Sequence, residues 1–210
     1  MDDRAHAMSL TAVTPEIARR LNIYIDLLGQ WRSVTNLISE SSFAQVWMRH
    51  VADSAQLLAY APSARRWLDF GSGAGFPGIV IAIQLAGRPG AVVHCIESDR
   101  RKSAFLRRVV RATGAPVFVH SARIESIDPK FMGPVDAVTA RGLGPLPQVI
   151  ELANVWIGDG ALGIFPCGRS ASEQVRALTE ASKFEIETFP SRLDADARIV
   201  RVRSATQAQQ

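Results

Sequence analysis

The sequence predicts an α/β fold, a doubly wound and mostly parallel sheet with helices on both faces, joined to an N-terminal helical cap. Three observations predict it. From Arg65 onward, short apolar runs of strand length alternate with helix-length stretches, the signature of repeated βα units. Before Ala61-Pro62-Ser63, apolar residues recur only at helical spacing. A glycine-rich turn, Gly71 to Gly78, falls where one apolar run passes into the next helix. The chain therefore divides into a cap over residues 1–62, a sheet domain over 63–203 and a frayed tail over 204–210.

Residues 1–13 read as a loose leader. Thr14-Pro15 starts a helix with a hydroxyl cap followed by proline, whose missing N–H costs nothing in a first turn. Ile17, Leu21, Tyr24 and Leu28 form its apolar stripe, and Gly29 or a later residue ends or bends it. Phe43, Val46, Trp47, Val51, Ser54 and Leu58 predict a second helix. Strands are expected at Trp67–Phe70, Ala91–Ile96, Pro116–His120, Val135–Thr139 and Ala161–Phe165. Helices are expected at Gly78–Leu85, Arg100–Ala112, Leu146–Trp156 and Ser172–Ser182. Phe184–Phe189 and Arg198–Arg203 suit an antiparallel hairpin.

Composition narrows the function. The longest apolar run, Ile79 to Ala86, is broken by Gln84 and falls short of the roughly 20 residues a bilayer demands. The opening Met1-Asp2-Asp3-Arg4 is polar with no apolar run behind it, so a secretory signal is not expected. Cys95 and Cys167 are too few for a disulfide framework and lack metal-ligand spacing; reduced thiols in a cytoplasm are expected, and no metal. The formal charge is +4, but Arg100, Arg101, Lys102, Arg107, Arg108 and Arg111 crowd one segment, and Arg198, Arg201 and Arg203 another. Such clusters suit a polyanion or simply a solvated helix face.

The turn Asp69-Phe70-Gly71-Ser72-Gly73-Ala74-Gly75-Phe76-Pro77-Gly78 lets backbone lie directly against a ligand. Glu97, at the end of the next strand, is placed to hold the ribose hydroxyls of an adenine nucleoside. Gly73, Gly75 and Gly78 also satisfy the dinucleotide pattern G-x-G-x-x-G, so glycines alone do not choose the ligand. Asp69 favours a different one. A carboxylate there opposes a pyrophosphate but attracts the ammonium and sulfonium of S-adenosylmethionine, by roughly 4 kcal/mol per contact at 4 Å and an effective dielectric of about 20. A proton relay from His50 and Asp53 is set against a structural contact between elements, which is preferred. Trp31, Trp47, Trp67 and Trp156 read as core, whereas Phe76 is expected to lie against the ligand.

The turn, together with Trp31, Asn36-Leu37, Arg49-His50, Asp53-Ser54, Glu97-Ser98, Phe105-Leu106, Arg123-Ile124-Glu125 and Ala140-Arg141, resembles the bacterial 16S rRNA guanine-N7 methyltransferases, also called the glucose-inhibited division protein B family. The resemblance runs from about Leu21 to Gly168. It implies a Rossmann-like class I methyltransferase sheet, S-adenosyl-L-methionine as cofactor and cofactor contacts at Gly71, Phe76, Ile124, Glu125 and Arg141; Asp69, Gly73 and Glu97 join that set from the residues themselves. The implied reaction is methylation of N7 of the guanine at position 527 of 16S rRNA, on the 30S subunit or an assembly intermediate; a monomer is expected by default. Arg141, Arg169 and Arg101 are the expected substrate contacts. Two positions depart from the family pattern: Arg32 stands where Asn is frequent, and Cys167-Gly168-Arg169 where Lys-Gly is usual.

Guanine N7 has an in-plane lone pair and no proton, so its methylation calls for alignment more than for a base; no catalytic acid or base is expected. Two other classes fit the turn: a methyltransferase for small molecules or proteins, against which the basic clusters speak, and a nucleotide- or RNA-binding module without turnover.

Overall fold

The computed structural model describes residues 2–11, 13–169, 174–176, 178 and 184–205. A seven-stranded sheet carries the molecule, built from β1 (Arg66–Phe70), β2 (Val92–Ile96), β3 (Val117–His120), β4 (Ala137–Ala140), β5 (Leu162–Cys167), β6 (Phe184–Pro190) and β7 (Arg198–Ser204). Its order is β3-β2-β1-β4-β5-β7-β6. The first five strands in that order are parallel, and β7 runs antiparallel to both β5 and β6. The expected hairpin is thus present and closes one edge. The order reverses between β1 and β4, so the strands' C-terminal ends open a crevice there.

Each face has its own core. Trp67, Val93, Cys95 and Ala137 point to the side covered by α2 (Pro15–Thr35), α5 (Gly78–Leu85) and α6 (Arg100–Thr113). Leu68, Phe70, Ile96 and Val138 point the other way, under α7 (Leu146–Gly158). In α6, Phe105, Leu106 and Val109 are fully buried, while Arg100, Arg101, Arg107, Arg108 and Arg111 are exposed. The expected helix Ser172–Ser182 falls mostly outside the described residues; Ser204 ends β7, and 206–210 of the expected tail also lie outside them. No helix among the described residues is long and apolar enough to cross a membrane.

The N-terminal segment differs from expectation in two ways. Residues of the supposed leader form α1 (Asp3–Leu10). Such a short helix is marginal alone and is held by contacts: Asp3 Oδ2 accepts from the Trp47 N–H at 3.1 Å, Arg4 Nε donates to Asn22 at 3.0 Å, and Ala7 is 1% exposed. Of the two ends the sequence allows for α2, Gly29 or a later residue, the later one is found. The helix continues to Thr35, where Asn36 adopts a left-handed conformation as its C-cap. Gly29 instead gives room to Phe43, whose ring lies 3.0 Å from where a Cβ would stand. The second helix is broken into α3 (Glu40–Phe43), a π-helical turn at Trp47–Ala52, α4 (Asp53–Ala55) and a 3-10 turn at Gln56–Tyr60. The wide turn buries His50, Val51 and Ala52 in succession, which a regular amphipathic helix does not do.

Ala7→Asp places a carboxylate where α1 meets Trp47–Ala52. Burying it unpaired costs more than this short docking contact supplies. Amide hydrogen exchange across residues 3–10 is expected to rise to the rate of an unfolded segment while the melting of the sheet domain moves little.

Candidate functional site

The glycine turn sits at the C-terminal end of β1, and its glycines do different work. Gly71, Gly73 and Gly75 all have positive φ, at 62°, 55° and 99°. A Cβ on Gly75 would strike Ile79 at 2.6 Å, and one on Gly78 would lie 2.5 Å from Asp69 Oδ2. These two serve the packing of turn against helix. A Cβ on Gly71 would meet the Leu143 side chain at 2.7 Å. Only at Gly73 is the space open, the nearest atom being Gly71 O at 3.7 Å. This is a cradle that any side chain would fill. Tyr24 of α2 fixes the turn from behind, its hydroxyl donating to the Ala74 carbonyl at 2.6 Å.

Two carboxylates brace the same loop. Glu97 Oε2 accepts from the Gly73 N–H at 2.8 Å, and Oε1 from the Asp99 N–H at 2.8 Å. It therefore stands beside the open cradle with lone pairs left for further donors. The post-β3 loop joins it there, since the Ala122 N–H donates to the Glu97 carbonyl at 3.2 Å. Ile124 and Glu125 follow in a short 3-10 turn, Ile124 packed on the α7-side core and Glu125 exposed. Asp69 is placed otherwise than its charge suggested. It is fully buried beneath the turn, Oδ2 accepting from the Gly78 N–H at 3.2 Å, Oδ1 enclosed without a partner among the described residues. Burial pushes its pKa up to about 7, and its carboxyl braces the turn from beneath.

Phe76 also departs from expectation. Its ring is 5% exposed, packed 5.2 Å from Tyr24 and stacked 4.9 Å from His50, with the Arg141 guanidinium 5.2 Å above it. The cap covers the face that a ligand was expected to touch. Arg141, just past β4, is the centre of this cluster. Its Nη1 donates to Asp53 Oδ2 and to the Arg49 carbonyl, both at 3.3 Å, and its Nη2 to His50 Nδ1 at 2.6 Å. His50 and Asp53 thus make a contact between elements, as preferred from the sequence. Burial and the Arg141 charge push the His50 pKa down to about 3, and burial raises that of Asp53.

Past Arg141 opens a cleft of about 880 Å³, lined among others by Met48, His50, Asp53, Pro166, Cys167 and Leu193. Gln56, which sequence reasoning missed, shapes it by donating to Asp53 at 2.8 Å and accepting from the Arg192 N–H at 3.0 Å. Burial lifts the Cys167 thiol to about 11. Arg169 is at the rim, 85% exposed and paired with Asp196 at 2.8 Å. Arg101 is exposed in the first turn of α6. Cys95 is core, and His94 pairs instead with His120 across 3.0 Å. Among the described residues, no group of three or more His, Cys, Asp or Glu is placed to hold a metal.

The model of the family described as rRNA small subunit methyltransferase G matches residues 17–197. The chain belongs to that family. It is 45% identical over 203 residues to the ribosomal RNA small subunit methyltransferase G of Methylorubrum populi, covering 97% of this chain and 96% of that one. It is 44% identical over 200 residues to the protein of that name from a Bradyrhizobium species, covering 95% and 90%. Among solved structures, a Klebsiella pneumoniae chain assigned as an O-methyltransferase aligns with TM-score 0.59 at 14% identity, covering 97% of this chain and 96% of that one. M. jannaschii TYW2 in complex with AdoMet aligns with TM-score 0.52 at 12% identity, over 73% of each. These likenesses establish the Rossmann-like class I methyltransferase fold. The residues named for the cradle and the Arg141 cluster, from Tyr24 to Arg192, lie inside the family match.

Asp69 makes stability depend on pH in a definite direction. Its folded pKa lies above the ordinary 3.8, so its contribution is full below about 4 and is lost as pH rises through about 7. Asp69→Asn keeps an acceptor for Gly78 and removes the titration. The urea-denaturation stability of the native chain should therefore fall relative to the variant between pH 4 and 7; parallel curves would exclude this placement.

Proposed function

We propose that this chain transfers the methyl group of S-adenosyl-L-methionine to N7 of a guanine in 16S rRNA, working in the cytoplasm as a monomer on the small ribosomal subunit or its precursor. The reading is supported above all by one juxtaposition: an open, side-chain-free cradle at Gly73 beside Glu97, bordered through Gly71 and Leu143 by residues Arg141 and Gly142 of a cleft wide enough for a base.

The cradle fits the cofactor by the Cβ test at Gly73. Gly71 and Gly73 would give backbone, Glu97 would accept from ribose hydroxyls, and Ile124 with Glu125 would border the adenine. Asp69 and Phe76 act beneath them by holding the turn rather than by contact. When bound, the cofactor supplies an electrophilic methyl group on a sulfonium.

What the chain's own groups do is orient and exclude water. Beside Arg141 the titratable groups are occupied: His50 accepts from the guanidinium, Asp53 is paired with it, and burial raises the Cys167 thiol to about 11. Guanine N7 has no proton to lose, so no base is required. The described residues of the N-terminal cap bring His50 and Asp53 to Arg141.

RNA is met by the exposed stripe of α6. Arg100, Arg107 and Arg111 share one face at helical spacing, about 16 Å from first to last at 1.5 Å per residue. None of the exposed arginines of α6 is in an ion pair among the described residues. Arg101 lies beside them and Arg169 at the cleft rim; binding weakens as salt rises.

Small subunits from a strain lacking the gene, incubated with protein and cofactor, should gain one 7-methylguanosine by mass spectrometry of the 16S rRNA. A digest without it rejects the reading. Gly73→Val fills the cradle and should lower cofactor affinity by tenfold or more in calorimetry, while NAD binds neither form.

A further inference from the structure

The π-helical turn at Trp47–Ala52 gives two neighbouring residues different surroundings. His50 is buried and stacked on Phe76, whereas Arg49 is exposed and lines the cleft. The place of Arg49 is set through its backbone, whose carbonyl accepts from Arg141 Nη1 at 3.3 Å. Its charge is felt at the cleft wall: burial, the Arg141 charge and then the Arg49 charge push the His50 pKa down to about 3. Yet the Arg49 guanidinium takes part in no hydrogen bond or ion pair among the described residues. Two carboxylates that line the same cleft are turned to backbone instead, Asp3 to the Trp47 N–H at 3.1 Å and Asp194 to the Asp196 N–H at 2.9 Å. The third, Asp53, is paired with Arg141 at 3.3 Å.

A base that enters a cleft remains joined to its sugar, and the sugar to a phosphate on either side. Negative charge therefore arrives at the cleft with the base. An arginine fork offers paired donors to two phosphate oxygens. We infer that Arg49 binds a phosphate flanking the target guanosine and so fixes how its base enters the cleft toward the cradle. Phosphate contacts of this kind set register, while choice of base is left to its edges. Charge balance favours the same partner. An unpaired guanidinium in the cleft would oppose the positive charge that a methylated ring gains, and a bound phosphate cancels it. The contact is distinct from the stripe on α6, none of whose arginines lines the cleft. The inference rests on the proposed guanine-N7 reaction, and Arg49 acts in it by charge and hydrogen bonding alone.

The test uses small subunits reconstituted with 16S rRNA that carries an uncharged methylphosphonate on the 5′ or on the 3′ side of the target guanosine. A 2′-O-methyl group on the nucleotide before each altered linkage keeps it from cleaving, and the same RNAs with ordinary phosphates are the references. On the native chain, one of the two neutral linkages should lower kcat/KM about tenfold or more, the worth of a charge-assisted hydrogen bond. Arg49→Gln should lower kcat/KM on the reference by a similar factor and lose nothing further on that neutral linkage. Its kcat/KM should also fall less steeply with salt, the slope of the logarithms being shallower by about 0.7 for one phosphate contact. Calorimetric cofactor binding and the melting curve verify that the variant is folded. If neither neutral linkage slows the native chain, the inference is overturned whatever the variant does. It is overturned equally if the two losses multiply in Arg49→Gln or the salt slope is unchanged, and in each of these cases the reaction stands. No methyl transfer by the native chain to unaltered subunits overturns the reaction and the inference together.

Discussion

A largely buried guanidinium needs partners on every side, and this requirement at Arg141 arranges the rest of the site. Its side chain is 20% exposed, and a cation so enclosed is costly unless its donors are met. Three separate pieces of chain meet them. The π-helical turn brings the Arg49 carbonyl, His50 and Asp53; the glycine turn brings the face of Phe76; β4 delivers the arginine itself. The cap therefore has one satisfactory position on the sheet. Tyr24 and Gln56 secure it at two more points, one on the glycine turn and one on the loop at 191–193.

That fixed position explains why so much polar chemistry at the site is directed inward. Glu97, Asp69 and Tyr24 each hold one backbone group of the same turn, at Gly73, Gly78 and Ala74. A loop of glycines has the greatest conformational entropy to lose, and here it is restrained before any ligand arrives. The open space at Gly73 is then a rigid feature, and binding need not supply the ordering.

Much of this was legible in the sequence, and what was not has a common cause. The strands of the sheet, the hairpin edge and the buried stripe of α6 follow from local period, because each element shows its own pattern of apolar residues. The glycine turn was found from residue type and placement. The sequence could not show which way side chains at its tip point. Asp69 faces inward because it shares a row with Cys95 and Thr139 on the face covered by α2, α5 and α6, and that follows only from register. Phe76 was expected against a ligand and lies under His50, since the cap that covers it arrives from more than 20 residues upstream. The supposed leader and the broken second helix failed for a related reason: α1 and the π-helical turn are held by each other rather than by propensity. Gln56 left no signal, being an ordinary polar residue on a helical pattern.

The pairing of Arg141 with Asp53 also bears on the chemistry. In the proposed reaction the guanine ring gains positive charge as N7 is methylated. A bare guanidinium beside the cleft would oppose that charge by roughly 4 kcal/mol at 4 Å and an effective dielectric of about 20. Asp53 stands 3.3 Å from the guanidinium and cancels its field, while His50 is held neutral. The Arg141–Asp53 pair with His50 is thus polar without net charge, able to orient a base and tolerant of a cationic product. Exposed arginines in no ion pair among the described residues also stand on α6, outside the cleft, where the phosphates of an RNA would be met and the reacting ring would not.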